Sequence, residues 1–448
     1  MIRVTFPAGR IASTLCVCLI GCRDSTRSAD DVCSFEYQND KTDDGRTIGT
    51  RIADDTGAYS IHVVIRWPSN EPEPGSAPVA VTLQGGWDHE GTPINNDTPR
   101  LDTTENVVDI HLDLPGAGES GGENDRRGPI AAAAVSAVLR WAAGETVDAG
   151  GCRLADRAPM ANPNDLYLIG ASNGGNLAYS VLTDETLNLP PIAGLITWET
   201  PAGAEFVNVE QGKDPTVYTP GTCSWSLSGG IQCTFPSERL AVGRIENGAS
   251  ALCFDLDDDN ECGDADIAVR GTEAKETGEV MLSPAMRQAV ADEGLSVQGY
   301  ASLEETDVWW SYRDAGRRVG LLVAMQPELP ILLIGSEEDH VLTTWSDHPH
   351  VHGLGEALQA SGAFWTRLNP GSEWMQENQS PNPPNLPLSL AGDAASLLTE
   401  EQEDPPDPRV DRGGAGALRT SCQRGLDLGR IPAVVKRGRL TLWRTCCS

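Results

Sequence analysis

Leu166-Tyr167-Leu168-Ile169-Gly170-Ala171-Ser172-Asn173-Gly174-Gly175 is the stretch whose reading decides the fold. Four residues of strand character run into Gly170, and residues 174–182 then carry helical spacing. Between them lies G-x-S-x-G. A strand that reverses into a helix over so few residues brings backbone against backbone, and glycines two before and two after the serine leave room for it. The serine hydroxyl is then held above the sheet at a helix N-terminus, where the helix dipole favours a developing negative charge. A strand before, a helix after and a third glycine make the pattern more specific than G-x-S-x-G alone. A strand-to-helix turn without chemistry is the plainer alternative.

Outward from this turn, apolar runs alternate with helical segments. Residues 59–67 have β-branched strand character and stop at Pro68, and 79–83 form an apolar run ending in Gly85-Gly86. Residues 107–113 are stopped by Pro115-Gly116, and 192–198 form another apolar run. The Ala-rich segment 130–143 reads as a helix, with Arg126, Arg127, Gly128 and Pro129 at its start. Such alternation predicts an α/β fold, a mostly parallel sheet with helices on both faces. The pattern breaks over residues 203–305, which hold cysteine pairs, an aspartate cluster and many turn residues, and read as a cap or lid insertion. It resumes with a helix over 308–323, a strand over 331–334, a helix over 353–361 and a strand over 364–368. The core is therefore expected in two parts, 58–202 and 306–377.

Three further segments give the chain a family likeness. Leu83-Gln84-Gly85-Gly86-Trp87 closes an early strand with a glycine pair. Asp113-Leu114-Pro115-Gly116-Ala117-Gly118-Glu119-Ser120 has the form D-x-x-G-x-G-x-S. Ile331-Leu332-Leu333-Ile334-Gly335-Ser336-Glu337-Glu338-Asp339-His340-Val341 is a strand followed by an acid-bearing loop. With the serine turn, these resemble the α/β-hydrolase superfamily over residues 58–202 and 308–370, with the cysteine-containing cap inserted between. The resemblance implies a serine hydrolase acting on a small-molecule ester or amide. Ser172 would be the nucleophile and Asp339 the acid that orients a histidine. The backbone N–H groups of Asn173 and of Gly86 or Trp87 would form the oxyanion hole. Glu199, after the sixth strand, is a weaker substitute acid.

One departure from the family stands out. The family places its histidine after the last strand, and no histidine follows His352 here. A serine hydroxyl without a base is almost wholly protonated at neutral pH and a poor nucleophile. Three readings compete. His348, His350 or His352, in Asp347-His348-Pro349-His350-Val351-His352, supplies the base from the loop after Asp339, with His348 or His350 preferred. Alternatively the protein is a catalytically inactive relative that uses its cleft for binding. Or the C-terminal segment is divergent or out of frame and has lost the histidine. Residues 378–448 change character in the way the third reading needs: they are Pro/Asn-rich, then basic, with nine Lys/Arg and two Asp from Arg409 onward. His89, near the proposed oxyanion loop, is equally well a surface residue.

Asp255, Asp257, Asp259, Glu261 and Asp266 fall at positions 1, 3, 5, 7 and 12 of an EF-hand-like loop. Oxygen donors at this spacing suit a structural calcium ion, and no other cofactor is required. Asn260 at the usual glycine position and Asp at the last position depart from the pattern. A solvated acidic loop pinned by Cys253 and Cys262 is the alternative.

The first 21 residues read as a lipoprotein-type signal peptide: Arg3 and Arg10, a short apolar core, then Leu19-Ile20-Gly21-Cys22. The mature chain would begin at Cys22, carry lipid there and sit at the membrane of a bacterial cell envelope, with residues 22–57 as a linker or tether. Export predicts disulfides. Cys223/Cys233 and Cys253/Cys262 are close candidates, and Cys33 with Cys152 is a long-range one. The formal charge of −32 argues against a nucleic-acid partner, which needs a Lys/Arg surplus.

Overall fold

A computed structural model describes residues 33, 45–53, 57, 59–68, 73–86, 107–203, 224–226, 230–232, 234–244, 250–259, 262–263, 265–269, 271–274, 277–334 and 349–369. The apolar runs become strands β1 (Gly45–Ala53), β2 (Ser60–Pro68), β3 (Ala77–Leu83), β4 (Val108–Leu112), β5 (Ala161–Ala171) and β6 (Gly194–Trp198). Seven short strands follow: β7 (Ser224–Ser226), β8 (Gly230–Gln232), β9 (Leu240–Arg244), β10 (Ser250–Phe254), β11 (Ile267–Ala268), β12 (Thr272–Glu273) and β13 (Val280–Met281). The main sheet is completed by β14 (Pro330–Ile334) and β15 (Trp365–Asn369). Its order is β1-β2-β4-β3-β5-β6-β14-β15. β2 pairs antiparallel with both β1 and β4, and the pairings from β4 through β15 are parallel. The chain is thus an α/β protein with a mostly parallel central sheet.

The helices are α1 (Pro129–Ala142), α2 (Leu154–Arg157), α3 (Asn173–Leu182), α4 (Pro284–Asp292), α5 (Leu303–Arg313), α6 (Ala315–Met325) and α7 (Pro349–Ala360). Buried residues of α1, α3, α6 and α7 share one core with Val63, Val79, Val81, Ile110, Leu168, Leu195 and Leu333 on one sheet face. The alternate strand residues Ala80, Tyr167, Ile169, Ile196, Leu332 and Trp365 form a second buried cluster on the other. Strands buried on both faces need near-continuous apolar runs, which is why β3, β5 and β14 read as such in the sequence. None of the described helices is long and apolar enough to cross a membrane.

Two expectations are corrected. Part of the segment read as a linker, Gly45–Ala53, is the edge strand β1, in register with β2 from Gly45↔Pro68 to Ala53↔Ser60. The helix expected over 308–323 is two helices broken at Asp314, whose backbone is extended (φ −97°, ψ 115°). The Asp314 carboxylate accepts from Gly316 N–H at 2.8 Å and so starts α6.

The described residues of 234–300 form a small core of their own. Leu240, Leu252, Phe254 and Ile267 of the β9–β10–β11 sheet pack against Met286, Ala289 and Val290 of α4. Disulfides join Cys33 to Cys152 and Cys253 to Cys262. Cys223 and Cys233 lie outside the described residues, as do Cys22 and residues 370–448.

Candidate active site

Ser172 occupies the turn between β5 and α3 with φ +50° and ψ −126°, a conformation costly for a residue with a Cβ, of order 1–3 kcal/mol. The surroundings hold it there. Its N–H donates to Trp198 O of the neighbouring strand at 2.6 Å, and its carbonyl accepts from Gly175 N–H at 2.9 Å. The side chain is nearly buried, at 8% exposure. Two glycines permit the close approach. A Cβ on Gly174 would run into the carbonyls of Leu83 and Gln84, and one on Gly85 would stand 2.8 Å from Ser172 Cβ. The end of β3 therefore passes directly against the serine.

Asn173 begins α3, so its N–H belongs to the helix's first turn, where backbone donors lack helical partners. Its side chain does separate work. Nδ2 donates to Gly86 O at 3.1 Å, while Oδ1 accepts from Asn176 Nδ2 at 3.0 Å. Asn176 in turn donates to Pro201 O at 3.3 Å and accepts from Ala315 N–H at 2.9 Å. This buried chain of amides fixes the loop after β3 to the helix that carries the serine.

Arg127, which stands in the sequence at a helix start, completes the loop's anchorage. Its Nη2 donates to Gly85 O at 2.6 Å and its Nε to Gly86 O at 3.1 Å. Burial pulls its guanidinium down to about 10, so it stays charged at neutral pH. The pair Arg126-Arg127 before Gly128-Pro129 was the available signal. Only the tertiary fold gives it meaning.

The segment resembling D-x-x-G-x-G-x-S is an internally bonded turn. Asp113 Oδ2 meets His62 Nδ1 at 2.8 Å and accepts from Glu119 N–H at 2.9 Å. Ser120 Oγ donates to Asp113 O at 2.7 Å. Below it, Asp109 is buried with His111 at 2.7 Å and Thr82 at 2.8 Å. Burial alone would raise the Asp109 carboxyl. The His111 imidazole, hydrogen bonds from His111 and Thr82, and Arg66 outweigh it and hold the group below its ordinary value.

Glu199 follows β6 immediately, beside the serine turn, with φ +46°, and its N–H donates to Ile334 O at 2.7 Å. Asp339, His348 and Trp87 lie outside the described residues. His350 falls in the first turn of α7, which begins at Pro349, earlier than expected. Proline suits that first helical position because its fixed φ and missing N–H cost nothing there. β14 and β15 are parallel, so α7 starts from the same end of the sheet as Ser172.

In the insertion, Asp255, Asp257, Asp259 and Asp266 bring one carboxylate oxygen each within 4.8 Å of one another. Glu261 is outside the described residues. Asp266 also accepts from Leu256 N–H at 2.8 Å and Gly263 N–H at 2.7 Å. Asp255 accepts from Asp259 N–H at 3.2 Å.

No family model and no curated protein sequence matches the chain. Similar solved structures include a thermostable esterase from Pseudomonas putida ECU1011, 13% identical with a TM-score of 0.38 over 74% of each chain. A carboxyl esterase from the mycorrhizal fungus Tuber melanosporum is 12% identical, with a TM-score of 0.36 over 74% of this chain and 77% of that one. A hypothetical protein from Pseudomonas aeruginosa is 12% identical, with a TM-score of 0.35 over 74% and 86%. At these values the likeness assigns the chain neither activity nor substrate.

Proposed function

We propose that the chain is an exported serine hydrolase of the α/β-hydrolase fold that cleaves small carboxylic esters, or amides. The observation that carries this reading is Ser172 held at φ +50° between β5 and α3 with the Gly85-Gly86 loop against it. Strain of this kind at the end of a strand is a hallmark of a positioned nucleophile, and a plain strand-to-helix turn does not need it.

In the proposed reaction Ser172 Oγ attacks the substrate carbonyl carbon and gives its proton to an imidazole, His348 or His350, oriented by Asp339. The carbonyl oxygen becomes an oxyanion and accepts from Asn173 N–H and from the Gly86/Trp87 region. Collapse of this intermediate expels the alcohol or amine, which takes the proton from the imidazole. Water activated by the same imidazole then releases the acid. The start of α7 at the serine's end of the sheet supports the histidine assignment. The insertion over 203–305 would select the substrate. Lipid on Cys22 would hold the protein at the cell envelope. A calcium ion on Asp255, Asp257, Asp259, Glu261 and Asp266 would brace the insertion.

The absence of any histidine after His352 favours a second reading, an inactive binding protein on the same fold. Hydrolysis of short p-nitrophenyl esters separates the two. Turnover lost in both Ser172→Ala and a His348/His350/His352 triple alanine variant supports the relocated base. Turnover lost only in Ser172→Ala places the base elsewhere, and an inert wild-type chain supports the binding protein.

A further inference from the structure

Arg127 is a buried charge that the serine hydrolase reading does not use. Arg127 is 7% exposed, and among the described residues no carboxylate pairs with it. Its ligands are two backbone carbonyls, Gly85 O and Gly86 O, in the loop that lies against Ser172. To present the guanidinium there, the chain places two consecutive non-glycine residues in left-handed backbone, Arg126 at φ 56° and Arg127 at φ 61°. A second buried arginine holds that turn: Arg313 donates to Asp125 O at 2.8 Å and Arg126 O at 2.9 Å, and stacks on Trp309 at 4.1 Å. Unpaired burial and left-handed arginines are both unfavourable, and an apolar side chain would fill the space more cheaply.

The Gly85-Gly86 peptide explains what the expense achieves. Two glycines let the serine and the chain approach closely, but they also let the peptide between them flip with little resistance. A flipped peptide would aim a carbonyl, the negative end of its dipole, at the place where the oxyanion forms. In a trans peptide the N–H lies opposite the C=O. Holding Gly85 O on Arg127 therefore directs Gly86 N–H away from the guanidinium. Holding Gly86 O on both Arg127 and Asn173 fixes the next carbonyl as well. A guanidinium suits this because its rigid fork reaches two acceptors at once, which an ammonium does not.

We propose that Arg127 is a positioning residue for oxyanion stabilisation at Ser172, locking the Gly85 and Gly86 carbonyls out of the site so that Gly86 N–H faces it. The inference rests on Ser172 being the nucleophile, and the test distinguishes the two claims. Wild type, Arg127→Met and Arg127→Lys are compared for kcat and KM on p-nitrophenyl acetate and for fluorophosphonate labelling rate, each per folded molecule. Losing an aligned oxyanion donor lowers kcat by about 100-fold. Arg127→Met is expected to show that loss with KM within about threefold of wild type, because the donor acts on the transition state. Arg127→Lys keeps the charge without the fork and is expected between the two. A purely structural arginine lowers melting temperature and folded fraction but leaves kcat per folded molecule unchanged, and that result overturns the proposal. If Arg127→Met does not fold, full kcat in Arg127→Lys overturns it equally. A wild-type chain that neither turns over nor labels overturns the nucleophile reading and this proposal together. An active wild type with unaffected Arg127 variants removes the proposal alone.

Discussion

The side-chain amide of Asn173 donates to the Gly86 carbonyl at 3.1 Å, so the residue after the serine and the loop opposite it are tied into one hydrogen-bonded unit. Asn176 extends that unit to the start of α6 through Ala315 N–H. Asn176→Ala would leave a buried N–H and a buried amide oxygen without partners, at about 1–3 kcal/mol. The expected outcome is a lower denaturant midpoint together with reduced ester turnover. Lost stability with unchanged kcat per folded molecule would mean that the amide chain serves the fold alone.

Gly85→Ala is the sharper test of the serine's surroundings. The added methyl would stand 2.8 Å from Ser172 Cβ, closer than carbon atoms tolerate, so serine or loop must shift. Misplacement of a nucleophile by about 1 Å costs about 100-fold in rate. We expect p-nitrophenyl ester hydrolysis to fall by that order while circular dichroism is retained. Wild-type rates in a folded Gly85→Ala chain would show that the loop does not line the site.

The Asp109–His111 pair should govern acid stability. Asp109 titrates below its ordinary value of 3.8 in the folded chain, so it binds its proton more readily when unfolded. Its contribution is present above that ordinary value and lost as pH falls through the folded value. Asp109→Asn removes one partner of a buried pair, expected to cost about 3 kcal/mol at pH ~7. Denaturant midpoints at neutral pH and near pH ~3 check this, and the variant's disadvantage should shrink at the lower pH. An equal deficit at both would contradict it.

Calcium binding to the acidic loop is read from thermal melts. Calcium should raise the melting temperature, growing with the logarithm of its concentration above Kd, and EDTA should lower it. Asp257→Asn with Asp266→Asn should abolish the response. A response that survives the double variant would place calcium elsewhere, and no response in wild type would remove it.

Much of the candidate site's framework was legible because it is local. A strand, G-x-S-x-G and a helix occur within one run of residues, and Gly85-Gly86 ends another apolar run. What escaped was built from distance. Arg127 acquires its role only because the chain doubles back through left-handed residues 126 and 127 to reach Gly85. β1 escaped because an edge strand buries little: Ile52 is buried while Arg51 and Ala53 are exposed, so Arg46, Thr47 and Arg51 made it read as tether. The break between α5 and α6 escaped because one carboxylate, Asp314, decides it within an otherwise helical pattern.

The central claim, that Ser172 is an activated nucleophile, is tested most directly by peptide mapping after reaction with a fluorophosphonate. The expected result is a single adduct on the peptide containing Ser172, absent in Ser172→Ala. No adduct on the folded wild-type chain, or one that persists in Ser172→Ala, would contradict it.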